Sequence, residues 1–80
     1  MIYEMVLPRL GHAMTEGEVA HWYKAVGEHV EKDEPLLDVV AQKVTVTVES
    51  PVTGIVTEIR VPDGETVPVG TIIALIKTVD

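Results

Sequence analysis

Hydrophobic and polar residues alternate along much of the chain, most strictly at residues 44–48, where valines and threonines take turns. A period of two places the valines on one face of a strand and the threonines on the other. Helical periodicity is weak throughout, so the pattern predicts an all-β fold. The expected strands span residues 2–7, 17–24, 36–40, 44–48, 54–61 and 72–77, with a short extended segment near 66–68.

Residues 36–48 contain no Gly, Pro or Asn. A single strand of that length would be unusual, so compactness favours a hairpin with its turn at residues 41–43. Lys43 shares odd parity with the outward threonines Thr45 and Thr47. We therefore expect its amine to be exposed at the tip of the hairpin.

The chain also repeats itself at a spacing of 37 residues. This shift aligns two glycine pairs, Gly17 with Gly54 and Gly27 with Gly64, together with their hydrophobic neighbours. An internal duplication of this kind predicts two similar sheets that face each other across one aliphatic core, related by a pseudo-two-fold axis. The chain ends should then lie together on one sheet, with Lys43 on the other sheet at the opposite pole.

Composition agrees with this fold and narrows the function. Of the 80 residues, 29 are β-branched, which favours strands. The length fits one domain, residues 1–80, which we expect to be monomeric in isolation. The net charge of -7 argues against binding to nucleic acid or to anionic membranes. Because no apolar run approaches a membrane span, we expect a cytoplasmic protein, or a matrix protein in a mitochondrion.

Catalytic chemistry has little support in the residues themselves. There is no cysteine and no nucleophile arrangement, and His12, His21 and His29 lack the spacing of metal ligands. We therefore predict neither an enzyme nor a metal site. An exposed lysine such as Lys43 is ordinarily just a surface residue. Segment 8–16 breaks the repeat, and an asymmetric loop on a symmetric scaffold is either a functional loop or a drifted surface loop.

Several motifs together resemble the lipoyl domains of the E2 subunits of 2-oxo acid and acetoin dehydrogenases. The resemblance covers nearly all of the chain in order. It is carried by Leu7-Pro8-Arg9-Leu10-Gly11, Met14-Thr15-Glu16-Gly17, Trp22, Gly27, Val30, Leu36, Lys43-Val44-Thr45-Val46, Ser50-Pro51-Val52-Thr53-Gly54, Gly64 and Val67-Pro68-Val69-Gly70.

This resemblance implies a flattened sandwich of two four-stranded antiparallel sheets and a swinging-arm carrier function. Lys43, eight residues before Pro51, would form an amide with lipoic acid, with Gln42 and Val44 as its neighbours at the tip. Loop 8–16 would lie beside it, where the family's E1 partner recognises the domain. The recognition residues would be Gly11, His12, Met14, Thr15 and Glu16.

The mechanism implied by the family is group carriage. E1 would reductively acylate the lipoyl group, the E2 core, in cis, would accept the acyl group, and E3 would reoxidise the dithiol. A lipoate ligase or lipoyl transferase would attach the cofactor. The tip departs from the family pattern, because the sequence Val40-Ala41-Gln42-Lys43-Val44 lacks the two acids that usually precede the lysine.

Two alternatives remain open. A biotinyl carrier domain has the same fold, but that family flanks its lysine with Met on both sides, and here the flanking residues are Gln42 and Val44. The other alternative is an unmodified structural module on a barrel-sandwich fold, which the acid-free tip would suit.

Overall fold

The computed structural model describes residues 1–78, and these form eight strands and no helix. The strands are β1 (Ile2–Val6), β2 (Glu16–Trp22), β3 (His29–Val30), β4 (Pro35–Ala41), β5 (Val44–Glu49), β6 (Gly54–Ile59), β7 (Thr66–Pro68) and β8 (Ile72–Thr78). All six predicted strands and the short 66–68 segment are present. β3 is the addition, and its two residues are too few to show alternation. Accordingly, none of the described residues forms a helix that could cross a membrane.

Two antiparallel four-stranded sheets make up the sandwich. Their strand orders are β1-β8-β6-β3 and β5-β4-β2-β7. The 37-residue shift converts β4, β2 and β7 of one sheet into β8, β6 and β3 of the other, in the same order. The predicted all-β sandwich and its pseudo-two-fold symmetry are therefore confirmed.

The two halves also share irregularities of the backbone. The pairing register shifts between Val19 and His21 in β2 and, 37 residues later, between Val56 and Glu58 in β6. Predicted strands 17–24 and 54–61 both extend two residues too far at their carboxyl ends. In the structure the chain turns after Trp22 and after Ile59.

One aliphatic core lies between the sheets. Its fully buried members come from both halves of the repeat, and the equivalent pairs are Val19 with Val56, Leu36 with Ile73, and Val39 with Ile76. Trp22 is partly buried against this core, and its indole N–H donates to the Val61 carbonyl oxygen at 2.8 Å. Tyr23, the first residue after β2, is exposed.

The described ends of the chain, residues 1–2 and 77–78, meet on one sheet, as the repeat predicts, and residues 79–80 lie outside the part that the structure describes. Ile2 pairs with Lys77, and the Thr78 N–H donates to the Met1 carbonyl oxygen at 2.8 Å. Lys43 lies in the connection between β4 and β5 of the other sheet. The two-fold exchanges the carboxyl ends of β4 and β8, so the Lys43 hairpin and the chain ends occupy symmetry-related ends of the domain.

Candidate functional site

Lys43 sits in a two-residue hairpin turn. Ala41 and Val44 are the last paired residues, which leaves Gln42 and Lys43 as the central positions. Gln42 has a φ of 55°, a left-handed conformation that costs an L residue roughly 1–2 kcal/mol. Positive φ at the first central position is what primed hairpin turns require, although Gly or Asn usually supplies it.

The Lys43 side chain is exposed and has no hydrogen-bond or ion-pair partner among residues 1–78. Lys24 differs, because its Nζ lies 3.2 Å from Glu34 Oε2. The tip therefore presents a long primary amine that no described side chain restrains. Such an amine is suited to amide formation with an activated carboxylic acid delivered by another protein.

Exposure along β5 is graded toward this tip. Val48 is buried, Val46 is partly buried, and Val44 is 60% exposed, while Thr45 and Thr47 face solvent. Val44 lines the tip groove together with Val46, but unlike Val46 and Val48 it is exposed. The hairpin extends past the region that the opposite sheet covers.

Loop 8–16 packs beside the hairpin. Its conformation is set by a turn in which the Met14 N–H donates to the Gly11 carbonyl oxygen at 3.2 Å, while the Leu10 N–H donates to the Met14 sulfur at 3.1 Å. The Met14 side chain is only 4% exposed and belongs to the core. Gly17 lies beneath it, because a Cβ there would come within 2.8 Å of Met14 Cε.

The residues predicted for partner recognition thus divide into two groups. Gly11, His12, Thr15 and Glu16 are exposed and available to a partner. Met14 is 4% exposed, so its side chain mainly holds the loop in place, and the small part that remains accessible lines the grooves beside the hairpin. The predicted tip neighbours, Gln42 and Val44, both line a groove between loop 8–16 and the hairpin.

Two grooves separate loop 8–16 from the hairpin. The first, which we call the tip groove, has a volume of about 230 Å³. Its lining consists of Leu10, Gly11, His12, Ala13, Met14, Ala41, Gln42, Val44 and Val46. The second, the strand groove, has a volume of about 350 Å³. Its lining consists of Ala13, Met14, Thr15, Glu16, Gly17, Glu18, Val40, Gln42 and Thr66.

A hydrogen-bond network that the sequence did not predict joins Tyr23, just after β2, to side chains on the outer face of β4 and β5. The Tyr23 hydroxyl and the Thr47 hydroxyl each donate to a carboxylate oxygen of Asp38 at 2.7 Å. The bond from Thr47, followed by that from Tyr23, lowers the pKa of Asp38, and the bond to Asp38 raises the pKa of Tyr23. No sequence signal pointed to it, because Asp38 and Thr47 share a face only through the β4–β5 register, in which they are directly paired.

Metal binding has no visible basis in the part of the chain that the structure describes. His12, His21 and His29 are separate on the surface, and residues 1–78 contain no group of three or more potential metal-ligating side chains. His21 lies 3.9 Å from Asp63, and His29 lies 3.6 Å from Glu31.

Comparison with protein families supplies a match over residues 3–76, to the biotin/lipoyl family described as biotin-requiring enzyme. The chain is 44% identical, over all 80 residues, to the dihydrolipoyllysine-residue acetyltransferase component of the pyruvate dehydrogenase complex from Corynebacterium glutamicum. It is 42% identical, over 76 residues, to the corresponding component of the acetoin cleaving system from Bacillus subtilis. These matches cover 100% and 95% of this chain but only 12% and 19% of the relatives.

Two solved structures share the fold. The lipoyl domain of the 2-oxoglutarate dehydrogenase complex from Azotobacter vinelandii superimposes with a TM-score of 0.71 at 28% identity, covering 92% of this chain and 98% of that one. Urea carboxylase from Kluyveromyces lactis gives a TM-score of 0.78 at 23% identity, covering 96% of this chain and 6% of that one. The second likeness concerns the fold alone.

Proposed function

This chain belongs to the biotin/lipoyl family as a non-catalytic carrier domain, and we propose that it carries lipoate as an amide on Lys43. The family implies a covalently attached cofactor of the lipoyl or biotin type. The observation that carries the choice of residue is the unrestrained amine at the tip of the β4–β5 hairpin.

The geometry of Lys43 suits this attachment. A modifying enzyme needs an amine that it can enclose from several sides, and a hairpin tip offers open approach. Lys24 is held by Glu34, and Lys77 lies within the paired strand β8, so both are harder to enclose. When bound, lipoate would supply a dithiolane that accepts and releases acyl groups with reduction and reoxidation of its sulfurs.

Lipoate is favoured over biotin by two observations. The relatives at 44% and 42% identity are dihydrolipoyllysine-residue acetyltransferase components. In addition, the lysine has Gln42 and Val44 as neighbours rather than methionines.

The role of the domain would be tethered delivery. Since it has no active site of its own, we propose that the arm meets E1, E3 and the acyltransferase core in turn, and that tethering keeps their effective concentrations high. Gly11, His12, Thr15 and Glu16 are exposed beside Lys43 and are our candidates for contact with the acylating partner. The chain spans less than a fifth of the length of these two relatives.

The test is enzymatic modification followed by peptide mass mapping. The domain is incubated with lipoate ligase, ATP and lipoate, and in parallel with biotin ligase and biotin. We expect one lipoyl adduct, on Lys43, and none in the Lys43→Arg variant.

Lys32→Arg is the matched control, because Lys32 is also an exposed turn lysine and its neighbour Asp33 has a φ of 72°. This variant should be modified like the unaltered domain. An adduct on Lys24 or Lys32, or a biotin adduct, would contradict the proposal.

A further inference from the structure

The tip groove is apolar, although it opens to solvent directly beside the proposed attachment residue. Its walls include Leu10, Ala13, Met14, Val44 and Val46, and only His12 and Gln42 contribute polar side chains. Leu10 is 37% exposed and Val44 is 60% exposed, so the groove leaves aliphatic surface in water. Exposed aliphatic surface that is continuous with a groove marks a place where an apolar ligand gains by burial.

The strand groove, on the other flank of the hairpin, has a different character. Thr15, Glu16, Glu18 and Thr66 line it, and both glutamates are exposed. An uncharged, water-poor group therefore has one favourable side of the hairpin and one unfavourable side. Of the two residues adjacent to Lys43, Gln42 lines both grooves, whereas Val44 lines only the apolar one.

The volume of the tip groove suits a small occupant. At about 230 Å³, the groove is smaller than the roughly 300–1,000 Å³ of typical ligand pockets, so it suits a small group such as a five-membered ring with a few methylene groups. An occupant tethered to Lys43 is already at high effective concentration, so a shallow site can hold it.

We propose that the tip groove is a resting site for the apolar arm attached to Lys43. This inference rests on the proposed function, because it needs a lipoyl group on that residue. The arm then divides its time between a docked state against Val44, Val46 and Met14 and a free state that reaches partner enzymes. Loop 8–16 both forms the groove and carries the residues proposed to meet the acylating partner, so a partner that binds the loop can release the docked arm.

The first measurement uses methyl resonances. The domain is prepared with ¹³C-labelled Met and Val methyl groups and recorded before and after complete lipoylation, which intact mass verifies. We expect shifts at the methyl groups of Met14, Val44 and Val46, while Met5 and Val19, in the core, keep their positions. Shifts confined to Val44, the neighbour of the modified residue, would overturn the docked state.

A matched pair of variants separates docking from a simple charge effect. Val44→Glu places a carboxylate in the groove wall, whereas Thr45→Glu places the same charge one residue further on, facing solvent on the other side of β5. Both positions are exposed, so both variants should fold. After lipoylation, the Met14 and Val46 shifts should vanish in Val44→Glu and persist in Thr45→Glu.

The second measurement is the rate at which dithiothreitol reduces the dithiolane to its dithiol, the reagent being oxidised to its cyclic disulfide. If the arm is docked half to two thirds of the time, the unaltered domain should react about two to three times more slowly than Val44→Glu. Thr45→Glu should react like the unaltered domain. Equal rates for all three lipoylated proteins would refute the resting site, whereas absence of any adduct on Lys43 would refute the proposed function instead.

Discussion

The two halves of the domain, residues 17–41 and 54–78, repeat each other on the inside and differ on the outside. Their backbone hydrogen bonds correspond across the axis. The Gly27 N–H donates to the Val56 carbonyl oxygen at 2.7 Å, and the Gly64 N–H donates to that of Val19 at 2.6 Å. Both glycines adopt positive φ, 95° and 92°, which only glycine reaches without strain.

The outer faces have diverged at equivalent positions. The first half carries His21, Tyr23 and Asp38. Tyr23 and Asp38 form the hydrogen-bond network with Thr47, and the His21 ring lies edge-on to the Tyr23 ring with 4.8 Å between the ring centroids. In the second half, a shift of 37 residues leads to Glu58, Arg60 and Leu75. There the Arg60 Nε donates to Glu58 Oε2 at 2.9 Å instead.

This contrast shows where the fold constrains the sequence. Inward positions must fill one core from two sides, so both halves retain β-branched or aliphatic residues there. Outward positions are constrained only by contact with solvent and with partner proteins. The features proposed to carry the function, the Lys43 hairpin and loop 8–16, are those that have no counterpart in the other half.

The largest expected effect concerns the two equivalent glycines at the starts of β2 and β6. A Cβ at Gly54 would overlap the backbone carbonyl oxygen of Lys77, which the β6–β8 pairing holds in place. Gly54→Ala should therefore cost about 3 kcal/mol or more, the upper range for overpacking. At Gly17 the nearest atom is Met14 Cε, the end of a flexible side chain, so Gly17→Ala should cost nearer 1 kcal/mol.

Urea titrations of both variants measure this difference. Methyl spectra of Met14 provide a further check, since Gly17→Ala should move that side chain and Gly54→Ala should not do so selectively. Equal losses of stability would mean that loop 8–16 is as rigid as a paired strand, and the distinction between the halves would fail at this position.

At the inner faces we expect equivalent substitutions in the two halves to have equal effects, in contrast to the two glycines. Val19 and Val56 are equivalent and both fully buried. Val19→Ala and Val56→Ala should each reduce the free energy of unfolding by roughly 2–3 kcal/mol, through lost burial and the cavity left behind. We expect the two losses to agree within about 0.5 kcal/mol. A clear inequality in urea titrations would show that the halves are not equivalent even in the core.

The sequence predicted most of what the core determines. The repeat identified the paired glycines, the two sheets and the meeting of the chain ends, because burial imposes the same pattern twice. It did not reveal β3, since a two-residue strand such as His29–Val30 has no periodicity. Nor did it show how the chain turns at Gln42, because Gln has no turn preference. The strand pairing on both sides of the turn forces this residue into positive φ.

The site was predictable only in part. Parity placed Lys43 on the exposed tip, but the position of loop 8–16 beside it came from family resemblance, because no local pattern fixes where a loop packs. The burial of Met14 was not foreseen. Its side chain fills the space above Gly17, a contact between residues that a sequence pattern does not rank above any other.

A smaller effect is expected at the hairpin turn between β4 and β5. Gln42→Gly should relieve the left-handed strain and stabilise the domain by about 0.5–1 kcal/mol, the strain released being partly offset by the greater backbone entropy of Gly. Asp33→Gly is the matched control. Asp33 has a φ of 72°, but Asp tolerates this region better than Gln, so the gain should be smaller. Thermal unfolding decides, and a loss of stability in Gln42→Gly would mean that the Gln42 side chain contributes more than its backbone costs.

The smallest effect concerns the outer-face network that distinguishes the first half. Hydrogen bonds from Thr47 and Tyr23 lower the pKa of Asp38, so its carboxylate is favoured in the folded state. The stability that it contributes is present above the ordinary pKa of an aspartate and is lost as the pH falls through the lowered value. Tyr23→Phe removes one donor and should lower the urea midpoint slightly at neutral pH. The gap from the unaltered domain should close as Asp38 becomes protonated in acid.

Tyr3→Phe, at an exposed tyrosine on the other sheet, should leave the pH profile unchanged. A gap for Tyr23→Phe that stays constant with pH would show that the tyrosine acts by packing rather than through the Asp38 charge.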